Sequence, residues 1–201
     1  MQGKKISLKT GERRWIKKLT GLTALLDDQS IADILLVRSG FKPGALVEIS
    51  YHPHSSVSQP EFHRAVNGLR EILKKLRLYY KLHENYPKTT RARTRYTCIA
   101  RDKGTLKELV AALANKDVRK RRFEIGMLLG YPETAVAAFA SNRPLDNRNL
   151  PRLVSIAKEF KFLNFRLSRN WREELGYLRR RAKEIKRLSP ELHARILRAP
   201  S

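Results

Sequence analysis

The chain has 201 residues, 41% of them hydrophobic, enough to bury a core of its own and too many for the disordered class. Its 43 Lys and Arg against 19 Asp and Glu set a formal net charge of +24, a field that concentrates anionic partners, nucleic acid first and an anionic membrane surface second. The single Cys98 excludes an intramolecular disulfide and a cysteine-built zinc site, and no apolar run approaches the ~20 residues of a membrane span.

Residues 1–11 are polar and basic and read as a mobile arm, followed by one α+β domain over 12–199 that becomes helix-rich from about residue 104. Trp15, Leu19, Leu22 and Leu26 recur at helical spacing and predict a helix over 12–26. The apolar stretch at 19–26 is short, broken by threonines and followed by Asp27 and Asp28, so it makes a poor signal peptide, and a cytoplasmic location is expected. Around the turn Gly40-Phe-Lys-Pro-Gly44, residues 34–38 and 45–51 read as two short extended segments. Ser58-Gln-Pro-Glu61 is a capping box with a proline in the first turn, opening a helix through Phe62, Val66, Leu69, Ile72, Leu73, Leu76 and Tyr80 to about 84.

Residues 93–101 alternate like a strand, with Tyr96, Cys98 and Ala100 on one side and Arg95, Thr97, Ile99 and Arg101 on the other. Asp102-Lys-Gly104 closes that strand, and Thr105-Leu-Lys-Glu108 predicts a second capping box opening a helix to Asn115. A helix over about 118–129, a Gly-Tyr-Pro corner and a short helix to about 140 follow. Residues 142–151 are a turn-rich loop, 152–160 are predicted helical, 160–168 read equally as strand or helix, and Trp171, Leu175, Leu178, Ile185 and Leu188 mark a long last helix. The fold class is α+β: a small sheet of two to four short strands packed by helices, with a helical C-terminal half.

At the corner, Gly130 sits where a helix end wants a left-handed residue and Pro132 where the next helix wants its first-turn proline. The apolar skeleton Ile125, Leu128, Leu129, Val136 and Phe139 resembles that of a helix-turn-helix. A recognition helix, however, needs polar side chains that reach base edges, and here Glu133 and Thr134 are its only polar members. The same stretch, with Phe123, Gly126, Leu129, Gly130, Tyr131, Pro132, Val136 and Phe139, resembles an uncharacterised, largely archaeal family carrying a Leu-Gly-Tyr-Pro-x-Cys-Cys-Val-x-x-Phe motif. Thr134 and Ala135 stand where that motif has its paired cysteines, so any metal or redox role of those cysteines is absent from this chain. The resemblance implies the corner and an archaeal-like origin, and no activity.

Three basic clusters carry the functional reading. Arg91, Arg93 and Arg95 alternate into a strand, so an extended backbone sets them about 7 Å apart, close to phosphate spacing. Tyr86 and Tyr96 flank them as stacking candidates, and the competing reading is an edge strand charged against aggregation. Arg119, Lys120, Arg121 and Arg122 open the corner helix, where cations oppose the helix dipole and an anionic partner would relieve that cost. Arg172, Arg179, Arg180, Lys183, Lys186 and Arg187 cover one side of the last helix, with Trp171, Leu175, Leu178, Ala182 and Ile185 on the other. Glu173 and Glu174 in its first turn match the dipole.

As an enzyme, the chain offers only His52, His54 and His63 with Glu61 as a candidate metal site. No Walker loop, Rossmann glycine pattern or Gly-x-Ser-x-Gly elbow occurs, and no cofactor is expected. The sequence therefore predicts a nucleic-acid-binding protein using arginine-rich phosphate contacts, with structured RNA favoured over DNA. It would act as a ribonucleoprotein or ribosome-associated component beside other proteins of such a particle. The alternatives are DNA binding by a helix-turn-helix at 119–140 and a histidine-dependent metal enzyme acting on nucleic acid.

Overall fold

The computed structural model describes residues 10–23, 25–51, 58–85, 93–145 and 158–199. The fold is α+β, and the chain divides into two compact units, Met1–Lys107 and Glu108–Ser201.

In the first unit, α1 (Thr10–Thr20) ends at Thr20, whose hydroxyl donates to the Lys17 carbonyl at 3.0 Å. It is shorter than the predicted 12–26 because Gly21 follows and the chain then turns, the Leu25 and Leu26 amides donating to the Leu22 carbonyl at 3.0 and 2.9 Å. Of the predicted arm, residues 1–9 lie outside the described residues, while Thr10 and Gly11 open this helix.

Residues 34–38 are not extended. They belong to α2 (Asp28–Ser39), capped by Asp27, which accepts from the Ser30 amide at 2.6 Å. The helix stops at Gly40 (φ +81°), where the Gly40 and Phe41 amides turn back to the Val37 and Leu36 carbonyls, a left-handed closure suited to glycine. Every residue from Ile31 to Ser39 is buried. A helix enclosed on all sides has no polar face, so its apolar run carries no helical period and mimics a buried strand. Its charges are matched: Arg38 pairs with Glu12 of α1, and Lys42 Nζ lies 2.7 Å from Asp33 Oδ2.

β1 (Gly44–Tyr51) follows the expected extended segment. α3 (Gln59–Lys75) starts at the predicted box: the Ser58 amide donates to Glu61 Oε2 at 2.9 Å and the Glu61 amide to Ser58 Oγ at 3.4 Å. The Ser58 hydroxyl, which donates to the same carboxylate oxygen at 2.6 Å, and then the Ser58 amide hold the Glu61 carboxyl below its ordinary range.

The predicted continuation of α3 to about 84 fails at Arg77. It adopts φ +56°, with the Arg77 amide on the Lys74 carbonyl and the Leu78 amide on that of Leu73. That is the closure glycine normally makes, executed by an arginine, so the sequence shows no stop signal. The chain then runs as β2 (Tyr79–Asn85).

β3 (Arg93–Ala100) lies between the other two, in the order β1-β3-β2 with both pairings antiparallel. The register sets Val47 and Leu82 beside Thr97, and Leu46 and Lys81 beside Cys98. Ala45, Val47, Ile49, Thr97 and Ile99 are buried, and α2 and α3 pack on the sheet. Glu48, Tyr79 and Lys81 are exposed on the opposite face, where Cys98 is nonetheless buried. Burial pushes the Cys98 thiol up to about 11 against the opposing charge of Lys81, so the thiol form dominates at neutral pH.

α4 (Lys103–Ala114) begins earlier than predicted. Asp102, not Thr105, is its cap, accepting from the Thr105 amide at 2.8 Å and the Thr105 hydroxyl at 2.9 Å. A carboxylate at the strand end outcompetes a hydroxyl three residues later.

The second unit is helical. α5 (Val118–Leu128) and α6 (Glu133–Ala140) form the corner and pack on each other. A 3-10 turn (Lys158–Phe162) resolves the start of the ambiguous 160–168 stretch, which continues as irregular chain with Leu167 and Ser168 buried. Of the predicted helix at 152–160, residues 152–157 lie outside the described residues. α7 (Trp171–Leu188) is the predicted long helix. A further helix not anticipated, α8 (Pro190–Arg198), is capped by Ser189, whose hydroxyl accepts from the Leu192 amide at 3.3 Å. Leu192 and Ile196 are buried, and Phe162 stacks on His193 with ring centroids 5.0 Å apart.

Candidate nucleic-acid interface

α7 sorts its residues by burial with little overlap. Glu174, Tyr177, Leu178, Arg181, Ala182, Ile185 and Leu188 are buried. Arg172, Arg179, Arg180, Lys183, Lys186 and Arg187 are all exposed. At 3.6 residues per turn these six cations fall within about 120° of the helix circumference and along about 22 Å of its axis. Arg187 is clamped by Glu184, with Nη2 2.6 Å from the carboxylate, which raises its pKa further. Arg179 Nε is 3.7 Å from Glu159, a long and exposed contact of little weight. Arg180, Lys183 and Lys186 meet no carboxylate among the described residues. Arg172 stacks on Trp171 at 4.7 Å, a contact that orients the guanidinium and leaves its charge uncompensated.

Two residues of α7 depart from the expected pattern. Arg181 is fully buried, its Nε donating to the Phe162 carbonyl at 3.0 Å, so it ties α7 to the 3-10 turn and belongs to the core. Glu174 is more than a dipole-matching acid. It is buried and accepts from the Ser168 amide at 2.9 Å, from the Ser168 hydroxyl, and from the Thr134 hydroxyl at 2.7 Å. The basic face is thus held at its N-terminal end by one carboxylate that joins α6, α7 and the preceding loop. Burial, and then the charge of Lys186, hold the His193 imidazole below its usual range.

The four-cation run of α5 splits in two. Asp117 caps the helix, accepting from the Arg119 and Lys120 amides at 2.9 and 3.0 Å, and its carboxylate offsets part of the cost of cations at a helix N-terminus. Arg119 and Lys120 point to solvent, Lys120 lying 3.9 Å from Glu124. Arg121 and Arg122 are half-buried and held by neutral acceptors: Arg121 Nη1 donates to the Asn115 carbonyl at 3.2 Å, and Arg122 Nη1 to Asn142 Oδ1. The Arg122 guanidinium also lies over the Phe139 ring, 5.1 Å from its centroid.

Beside them α5, α6 and residues 163–166 enclose a groove of about 680 Å³. Ile125, Leu129 and Val136 form its aliphatic part and Tyr131, Phe139 and Phe165 its aromatic part, with Arg121, Arg122 and Arg166 also lining it. Tyr131 and Phe165 lie 5.3 Å apart, and the Asn164 amide donates to the Tyr131 hydroxyl at 3.2 Å.

The corner that shapes this groove is built as its residues imply. The Gly130 and Tyr131 amides turn back to the Met127 and Gly126 carbonyls, with Gly130 at φ +70°. Pro132 is the cap of α6 and not its first residue, one position earlier than predicted. Gly126 allows the close crossing, because a Cβ there would lie 2.8 Å from both methyls of Val136. Gly126→Ala is expected to destabilise the protein by about 1–3 kcal/mol and Gly126→Ala/Val136→Ala to recover much of the loss, as read by thermal unfolding.

The remaining candidates divide as follows. Arg91, Tyr86, His52 and His54 lie outside the described residues. Arg93 and Arg95 sit on β3 opposite Tyr51 and Ile49 of β1. At Arg95 β3 is paired on both sides, with Ile49 and Glu84, so edge protection does not explain that arginine. His63 is exposed on α3, edge-on to Phe62 at 6.0 Å, and among the described residues no three His, Cys, Asp or Glu gather to hold a metal. Among them, too, no helix is long and apolar enough to cross a membrane. Arg166, Phe165 and the two orienting asparagines were not legible as site residues. They come from irregular chain, where no periodicity marks what faces what.

Neither protein-family models, nor curated proteins, nor solved structures yielded a match to this chain. Function has to be read from geometry and charge.

Proposed function

We propose that the protein binds nucleic acid, structured RNA in preference to DNA, through phosphate contacts, as a cytoplasmic component of a ribonucleoprotein or ribosome-associated particle. The observation that carries this reading is the face of α7: six exposed cations within about a third of one helix circumference, only Arg179 and Arg187 with a carboxylate within 4 Å among the described residues. A surface charged only for solubility intersperses signs, whereas this face concentrates one sign against its own repulsion. Phosphates relieve that repulsion and release counterions in doing so.

RNA is favoured because α6, the candidate recognition helix, does not present the donors that read a base code in the major groove. α6 turns Glu133, Ala137 and Phe139 to solvent, an acid and two apolar side chains where a recognition helix carries donors. Backbone-tracking arginines with aromatic neighbours suit the shape-based recognition of RNA.

The test is ultraviolet crosslinking of nucleic acid copurifying with the protein from native cells, washed at rising salt. Recovery of discrete RNA, crosslinked to peptides from 172–187 and 119–122 and lost as salt rises, is the expected result. A protein that emerges free of nucleic acid even at low salt contradicts the reading.

A further inference from the structure

Resting on the nucleic-acid reading, we infer that the groove between α5, α6 and residues 163–166 receives one unstacked RNA base, with Arg121, Arg122 and Arg166 on the adjoining phosphates.

The size is suitable: about 680 Å³ lies in the ~300–1,000 Å³ range of sites for small organic groups. The lining is suitable too. Phe139 stands 41% exposed at the groove on a chain of net charge +24, and Tyr131 and Phe165 present further ring surface. Aromatic surface lining a groove beside cations is what base stacking uses.

The arginines supply the third argument. Arg121 and Arg122 are oriented by the Asn115 carbonyl and the Asn142 side chain, and Arg122 also by the Phe139 ring. These acceptors are neutral, and neither arginine meets a carboxylate among the described residues. Direction is therefore set in advance while the charge stays available, the arrangement that lowers the ordering cost of binding an anion.

These features select among anionic occupants. A fatty acid brings one charge and leaves two of three arginines unmatched. An acidic peptide brings several charges, but it sets no fixed pair of them on either side of a flat ring. A nucleotide within a strand brings a π-face with a phosphate on either side of its sugar, and it matches both halves of the groove. A paired base cannot enter, so the site selects a bulge or loop.

The experiment compares two RNA hairpins, each closed by a hexaethylene glycol linker in place of loop nucleotides, one fully paired and one with a single bulged 2-aminopurine, by fluorescence anisotropy with the full chain. The bulged hairpin is expected to bind about tenfold tighter, with a change in 2-aminopurine emission on binding. Phe139→Ala should abolish both the preference and the emission change while leaving affinity for the paired hairpin within about twofold. Arg166→Gln, an exposed position in irregular chain, should weaken the preference without any risk to the core. Equal binding of both hairpins by the unaltered protein overturns the groove assignment and leaves the phosphate reading standing. Binding of neither hairpin removes the phosphate reading and the groove with it. A bulge preference that survives both variants puts the base elsewhere and also overturns the assignment. So does displacement of no RNA by an acidic amphipathic peptide that nonetheless binds at Phe139, which would give the groove to a protein partner.

Discussion

The fourfold variant Arg172→Gln/Arg180→Gln/Lys183→Gln/Lys186→Gln should stay folded and lose most of its affinity for structured RNA at low salt. The slope of log affinity against log salt should become shallower by about three to four, since each duplex phosphate contact contributes roughly 0.9 and each single-strand contact roughly 0.7. Folding is spared for identifiable reasons. All four side chains are exposed, Gln forms helices about as well as Lys or Arg, and removing like charges at neighbouring positions relieves repulsion. Among the described residues only Arg172 gives up a contact, its stacking on Trp171, which at an exposed site is worth about 0.5–1 kcal/mol.

A charge-matched control separates a site from a diffuse field. Arg13→Gln/Arg14→Gln/Lys17→Gln/Lys74→Gln removes the same charge from exposed positions on α1 and α3. If the control flattens the salt slope as much as the α7 variant, the basic face of α7 is not the contact surface. Titrations at several salt concentrations, with circular dichroism on each variant, decide the matter.

Glu174→Ala is expected to cost about 3–5 kcal/mol in urea unfolding, a large share of the roughly 5–15 kcal/mol that holds a typical domain together. The carboxylate is 1% exposed and takes three donors: the Ser168 amide, the Ser168 hydroxyl and the Thr134 hydroxyl at 2.7 Å. Alanine leaves all three without that acceptor, the two from Ser168 in a buried site and Thr134 at its half-buried edge. Asn170, at the cap position of α7, makes no side-chain cap bond, and Ser168 instead accepts from the Asn170 amide at 3.0 Å. Glu174 therefore fixes the residue that starts the helix, and its loss should fray the N-terminal turn carrying Arg172. Thr134→Val removes one donor, should cost only about 0.5–1.5 kcal/mol, and should cost less still in the Glu174→Ala background. A loss under about 1 kcal/mol for Glu174→Ala would mean that water reaches the site.

Local chemistry was legible wherever one side chain settles one backbone choice. The Ser58–Glu61 box, the left-handed Gly130, and the alternation of 93–100 were all readable, because a cap or a φ angle depends on its immediate neighbours. The charge imbalance and the two-sided pattern of α7 were legible for a related reason: a helix half buried and half solvated must repeat every 3.6 residues. The same logic misplaced α2, whose surroundings on all sides erase that repeat, and α3's end, where Arg77 takes a conformation that no residue type announces.

What only the tertiary structure decided is which neighbours each charge has. Arg181 and Arg180 are adjacent in an arginine run, yet one is sealed against the Phe162 carbonyl and the other is open to solvent. Arg121 and Arg122 belong to the same run as Arg119 and Lys120, yet they turn toward a groove whose other wall comes from residues 163–166. Composition and spacing determined that this protein carries an excess of cations on amphipathic helices. Whether a given cation is neutralised, buried or left for a ligand depends on contacts between distant segments, which no local pattern encodes.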